Sequence, residues 1–138
     1  MFFKNKHESF SSIFFIRFSE RNIKEEIPNF ILVRKNGQKF MISVKVYKQG
    51  NETLVGACDE QLIGKKFEDG KFYLDVSKDF YGGQRISIEA LKTYLENATI
   101  ANLVGERTVK CAIKLGLVDP DCILRIKGIP HAQIVKML

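Results

Sequence analysis

This 138-residue chain contains no apolar run of about 18 residues, so no membrane-spanning helix is expected. Its short apolar run at 13–16 stops at Arg17. A secretory leader needs a longer apolar region and a small-residue cleavage site, and neither occurs, although Lys4 and Lys6 resemble a basic leader start. A cytoplasmic location is the expectation. Cysteine is scarce: Cys58, Cys111 and Cys122 are odd in number and far apart. That argues against a disulfide framework, and without a Cys-x-x-Cys pair a structural zinc site is not expected. There is no Gly-Lys-Ser/Thr phosphate loop, no dinucleotide fingerprint and no calcium-binding loop. No cofactor and no metal are expected.

What is present suits one globular domain. Hydrophobic residues make up 45% of the chain and charged residues 28%, enough apolar material for a single core. The net charge of +6 invites a nucleic-acid reading, but the excess is unevenly placed. Residues 1–40 carry eight basic and four acidic residues, whereas residues 41–138 carry fourteen and twelve, only +2.

Composition also changes near Met41. Eight of the eleven Phe fall in residues 1–40. Phe, Lys, Asn, Ile and Ser account for 26 of those 40 residues, against 30 of the remaining 98. These are the residues AT-rich DNA encodes without selection for protein structure. Only 29–34 resembles a strand, followed by a turn at Asn36-Gly37. The expectation is an extension outside the domain, created by too early a start codon. The alternative is a basic, aromatic arm that binds RNA or a partner.

From Met41 the pattern is orderly. Residues 42–48 alternate, with Ile42, Val44 and Val46 on one face. Gly50-Asn51 suits a type II′ hairpin turn leading into a strand at 52–58. That turn pairs Val46 with Val55 and Val44 with Ala57, and sends Cys58 to the opposite face near Ser43. Asp59 is expected to cap a helical turn at 60–63, closed by Gly64. Residues 71–76 read as a third strand and 77–83 as a loop. Ser87 caps a helix reaching about Glu96, with Ile88, Leu91 and Leu95 as its buried stripe. A second helix spans 106–115, ended by Gly116 and the Asp119-Pro120 turn. Residues 122–127 read as a fourth strand, and Gly128-Ile129-Pro130-His131 as the start of a tail. The expected class is α+β, with a small, mainly antiparallel sheet and two principal helices.

Four blocks carry a family resemblance. They are Cys58-Asp59-Glu60-Gln61-Leu62-Ile63-Gly64-Lys65, Phe80-Tyr81-Gly82-Gly83, 98–106 (Ala-Thr-Ile-Ala-Asn-Leu-Val-Gly-Glu) and Pro130-His131-Ala132-Gln133. In order and spacing they resemble an archaeal family catalogued as domain of unknown function 424, across nearly all of residues 41–138. Members of that family begin close to the position of Met41. The resemblance implies no activity, cofactor or catalytic role.

The chemistry-bearing residues each have a functional and a structural reading. Cys58 at a helix N-terminus, with His131 as base and Asn102 orienting it, would make a nucleophile site. Structurally, Cys58 is a small core residue, and the adjacent Asp59 and Glu60 raise its pKa. Asp59 and Glu60 could bind a metal with Asp75, Asp79 or His131, but such acids more often cap helices or face solvent. Tyr81, Gly82 and Gly83 could let a phosphate or a strand approach; the simpler reading is a tight turn needing positive φ. Asn102 is the one polar residue in an apolar stretch, and Gly105 could let a ligand reach the next helix start, near Arg107. Gln133 and Pro130 flank His131 in a shaped segment.

The reading chosen is a non-catalytic cytoplasmic binding module, linked to RNA or a translation component. One alternative is a small enzyme using Cys58 and His131. Another is an obligate subunit that docks a partner on 98–104. A one-sided array of Arg107, Lys110, Lys114 and Arg125 would favour RNA. Asp59, Tyr81, Asn102 and His131 are expected to line one shared site, since all lie at element ends.

Overall fold

The computed structural model describes residues 40–136; the extension expected over residues 1–40, with its strand and turn at 29–37, lies almost wholly outside that range. The described chain runs β1 (Met41–Gln49), β2 (Glu52–Asp59), a 3-10 turn (Glu60–Leu62), β3 (Lys66–Asp69), β4 (Phe72–Asp75), α1 (Lys78–Tyr81), β5 (Gln84–Ser87) and α2 (Ile88–Asn97). It continues with β6 (Ile100–Val104), α3 (Glu106–Lys114), a second 3-10 turn (Pro120–Cys122), β7 (Leu124–Ile126) and β8 (Ile129–Val135).

Six strands form one sheet in the order β5-β1-β2-β6-β8-β7, and β3 and β4 form a separate hairpin. The expected register is observed: Val46 faces Val55, Val44 faces Ala57 and Ser43 faces Cys58. Gly50 at the turn has φ +58° while Asn51 stays at negative φ, as a type II′ turn requires. Four of the five pairings in the main sheet are antiparallel; β2 and β6 run parallel. A parallel neighbour needs a long crossover, and residues 60–99 supply it.

The sheet is larger than the expected one. β5 (Gln-Arg-Ile-Ser) is too short and polar to stand out from a loop. β6 is buried at all five positions, so it lacks the alternation that marks a half-exposed strand. β8 was hidden by Pro130. That proline precedes the β6 ladder, which begins at His131, so its missing N–H opens no gap there. His131 and Gln133 therefore sit within a strand and not in a tail. The fourth strand expected at 122–127 is shorter, and the loop expected at 77–83 contains α1.

The two faces are covered differently. On the first, Ile42, Val44, Val55, Ala57, Ala101, Leu103, Ala132 and Ile134 pack against Ile88, Leu91 and Leu95 of α2 and Val109 and Ala112 of α3. Ser87 caps α2 as expected, accepting from Ala90 N–H at 3.2 Å. Lys136 Nζ donates to the carbonyls of Leu95 and Glu96 at its other end. On the second face a smaller cluster joins Cys58, Val104 and Ile126 to Leu62, Leu74, Val76 and Tyr81. There α1 rests on β1 and β2, while the β3–β4 hairpin rests on β7.

Candidate functional site

Asp59 ends β2 on the helix side of the sheet, opposite Ile42. It makes no capping bond to the 3-10 turn that follows, contrary to the expectation. Its carboxylate reaches across to α3 instead. Oδ1 accepts from Thr108 N–H at 2.9 Å and Thr108 Oγ1 at 2.8 Å, and Oδ2 accepts from Arg107 N–H at 3.2 Å. These are donors that a helix start leaves unsatisfied, so Asp59 caps α3 from a distant strand. Burial pushes the Asp59 pKa up, and the bonds from Thr108 and Arg107 pull it back.

Gly105 makes this contact possible. Its φ of +109° suits glycine, and a Cβ there would overlap the Asp59 side chain. The glycine serves an internal carboxylate. Arg107 belongs to the same unit: its guanidinium lies 3.2 Å from the centre of the Phe40 ring and 3.8 Å from Asp59 Oδ2. Glu60 is held by Arg85 at 2.7 Å. Among the described residues, no group of three or more His, Cys, Asp or Glu could hold a metal ion.

Gly82 and Gly83 also differ from expectation, because neither has positive φ. They are required for close approach. A Cβ on Gly82 would meet the Lys78 carbonyl, and one on Gly83 the Val44 carbonyl. Their backbone packs against the protein's own elements. Tyr81 beside them is buried in the second-face cluster.

Cys58, Asn102, His131 and Gln133 all project from the second face, but not as a nucleophile site. Cys58 and His131 are both register partners of Val104, which stands between them. Two strand spacings separate their backbones by roughly 10 Å, with the Val104 side chain between them. Burial, with the charge of Asp59 adding to it, pushes the Cys58 thiol up to about 12, the opposite of activation. Asn102 neighbours Gly56 on one side and Gln133 on the other. It is fully buried, and neither its Nδ2 nor its Oδ1 has a hydrogen-bond partner. Tyr81 Oη is in the same condition. Each such group costs about 1–3 kcal/mol when left unpaired.

Tyr81, Asn102, His131 and Gln133 thus share the second face, while Asp59, Gly105 and Arg107 belong to the helix side. The four-residue site expected from element ends is split by the sheet. Strand parity decides this, since Asp59 follows Cys58 by one residue and must point the other way.

A groove of about 390 Å³ lies on the helix side, lined by Lys110 and Lys114 of α3, Arg125 of β7, Pro120, Ile123 and Pro130, with Val109, Ile113 and Glu106 completing it. Three of the four cations named as an RNA signature fall here; Arg107 is spent elsewhere. Arg125 donates to Glu106 at 2.7 Å, an exposed pair that contributes little to stability. The apolar floor was missed by sequence reading, because Pro120 reads as a turn residue, Ile123 as part of a strand and Pro130 as part of a tail, with nothing to bring them beside α3. Of the 98–104 stretch considered as a docking surface, Ile100–Val104 is already covered as an interior strand.

A family profile described as "Protein of unknown function (DUF424)" matches residues 47–137. The chain belongs to this family. The DUF424 match covers β2 through β8 and includes both the groove and the Asn102 row. A solved structure with the same fold is that of an uncharacterized conserved protein from Methanopyrus kandleri, with a TM-score of 0.59 and 21% identity. The similarity covers 71% of this chain and 95% of that one. No curated protein matches.

Proposed function

We propose that this DUF424 protein is a non-catalytic module that binds single-stranded RNA in the α3–β7 groove, in the cytoplasm and in association with the translation machinery. The observation that carries the reading is the groove itself, lined by Lys110, Lys114 and Arg125 together with Glu106 and the apolar Val109, Ile113, Pro120, Ile123 and Pro130. Cations attract the phosphate backbone, and an apolar floor accepts the faces of unstacked bases. Single-stranded RNA offers both at once. The Arg125–Glu106 pair is exposed, so a phosphate can replace the glutamate at small cost. A non-catalytic role is supported by the buried, proton-holding Cys58 and its separation from His131. No helix among the described residues is long and apolar enough to cross a membrane.

Fluorescence anisotropy with a short unstructured RNA tests the reading. Double replacement of Lys110 and Lys114 by Glu should weaken binding at least about tenfold, since two phosphate contacts become repulsive. With three cations engaged, the logarithmic salt slope should be on the order of −2. Unchanged affinity in the double variant would overturn the reading. So would a preference for an acidic peptide over RNA.

A further inference from the structure

We propose that Asn102 is the recognition group of a second site, on the opposite face of the sheet from the groove, and that this site takes the edge of a nucleobase. The starting observation is the unsatisfied amide. Asn102 is 0% exposed, and neither Nδ2 nor Oδ1 meets a partner. An apolar side chain would fill this interior position of β6 without that penalty. A polar side chain held there is suited to something that can hydrogen-bond with it.

The amide specifies what that is. It offers a donor and an acceptor side by side in one plane. The complement is another planar group with an acceptor next to a donor. Every nucleobase carries such an edge, and Asn pairs with adenine in this bidentate way.

The surroundings supply groups suited to a flat heterocycle. On β2, the register partner of Asn102 is Gly56, which has no side chain. The Phe80 ring occupies the space above that glycine, with Cε1 2.9 Å from where a Cβ would stand. Tyr81 packs edge-on to Phe80, with ring centres 4.7 Å apart, and its buried hydroxyl also has no partner. Gln133 lies across from Asn102 on the other side. Aromatic rings, an amide and a spare hydroxyl are the groups with which proteins hold unstacked bases.

The site is closed in this state, so a base enters only when its cover moves. The flanking supports differ in how firmly they are held. α1 is tied to β1 by Ser43 Oγ donating to the Tyr81 carbonyl at 2.7 Å and by Tyr47 Oη donating to the Phe80 carbonyl at 2.7 Å. The β3–β4 hairpin buries only Leu74 among its strand residues but rests on β7, so it is α1, with Phe80 over Gly56, that must move for a base to reach Asn102.

The experiment uses the full chain, with adenosine, cytidine, guanosine and uridine as separate probes and a short mixed-sequence RNA as a further arm. The readouts are the melting temperature and the NMR resonances of the Asn102 side-chain amide. At least one nucleoside or the RNA should shift those resonances, and a saturating probe should raise the melting temperature by roughly 2 °C or more. A response to RNA alone identifies the source as a base splayed from a strand; a response to a free nucleoside identifies a small-molecule site. Asn102→Leu should abolish the thermal shift while melting, without ligand, no lower than the parent. If no probe moves the Asn102 amide, or if the thermal shift survives in Asn102→Leu, the site is refuted. An Asn102 amide that meets only ordered water in the presence of the probes refutes it equally. The resonance readout needs no variant, so a poorly folding Asn102→Leu leaves the test intact.

Discussion

The two faces of the six-stranded sheet come from the same strands, often from adjacent residues, yet they are built on different terms. On the helix side, Ala57, Ala101 and Ala132 alternate with larger aliphatic residues under α2 and α3, and the interface is apolar except where Asp59 caps α3. On the other side, Ser43, Gly56, Asn102, His131 and Gln133 alternate with Cys58 and Val104. The cover there is pieced together from a one-turn helix, a 3-10 turn and a hairpin. The helix side is organised for stability, and the α3–β7 groove, the site proposed above for RNA, lies at its rim. The second face gives up apolar burial, which on stability grounds alone is a loss. That asymmetry is the ground for the second site proposed there.

The comparison can be broken by mutation, beginning with the largest effect. Leu91→Ala removes a fully buried side chain from the helix side and should cost about 3 kcal/mol, with lower melting temperature and lower denaturation midpoint. If it costs less than Asn102→Leu, the assignment of the two faces is reversed.

Asp59→Ala should cost about 2–3 kcal/mol, because Arg107 N–H, Thr108 N–H and Thr108 Oγ1 lose their acceptor inside the protein. Asp59→Asn keeps an acceptor oxygen and should cost less than half as much. Equal losses in chemical denaturation would show that the charge matters, and not the cap.

Alkaline pH sharpens the comparison next. The folded Cys58 thiol is raised to about 12 from its ordinary 9.0, and Cys111 to about 11, chiefly by burial. A raised folded value means that stability is fully present below pH 9 and is lost as pH climbs from 9 towards 12. Melting temperature should therefore fall above pH 9, and Cys58→Ala should flatten part of that decline. A decline of the same steepness in the variant would contradict this origin.

The smallest expected effect is chemical. At neutral pH a thiol reagent should modify Cys122 quickly and leave Cys58 and Cys111 almost untouched until the protein unfolds. Fast modification of Cys58 would revive the nucleophile reading and undo the contrast.

Much of the first face was legible in the sequence. The alternation of Ile42, Val44 and Val46 and the Gly50-Asn51 turn set the β1–β2 register, and Ser87 with Ile88, Leu91 and Leu95 marked α2. These are local signals, with period, cap and turn within a few residues. What stayed hidden depends on distant partners. β6 and β8 carry no alternation because both of their faces are buried, and Pro130 disguised the start of β8. The cap made by Asp59 joins residues 49 apart at Thr108, so proximity in sequence suggested the wrong helix. Asn102 and His131 were recognised as exceptional polar residues. Their common face, and its separation from Asp59, follow only from strand parity across three paired strands.

The central claim is that the α3–β7 groove binds RNA, and it is tested most directly by titrating a short single-stranded RNA into the isotope-labelled protein and mapping amide shift changes. The account predicts that the largest changes fall on Lys110, Ile113, Lys114, Ile123 and Arg125, with α2 and the β1–β2 turn unmoved. Changes centred on α2 or on that turn, or none at saturating RNA, would contradict it.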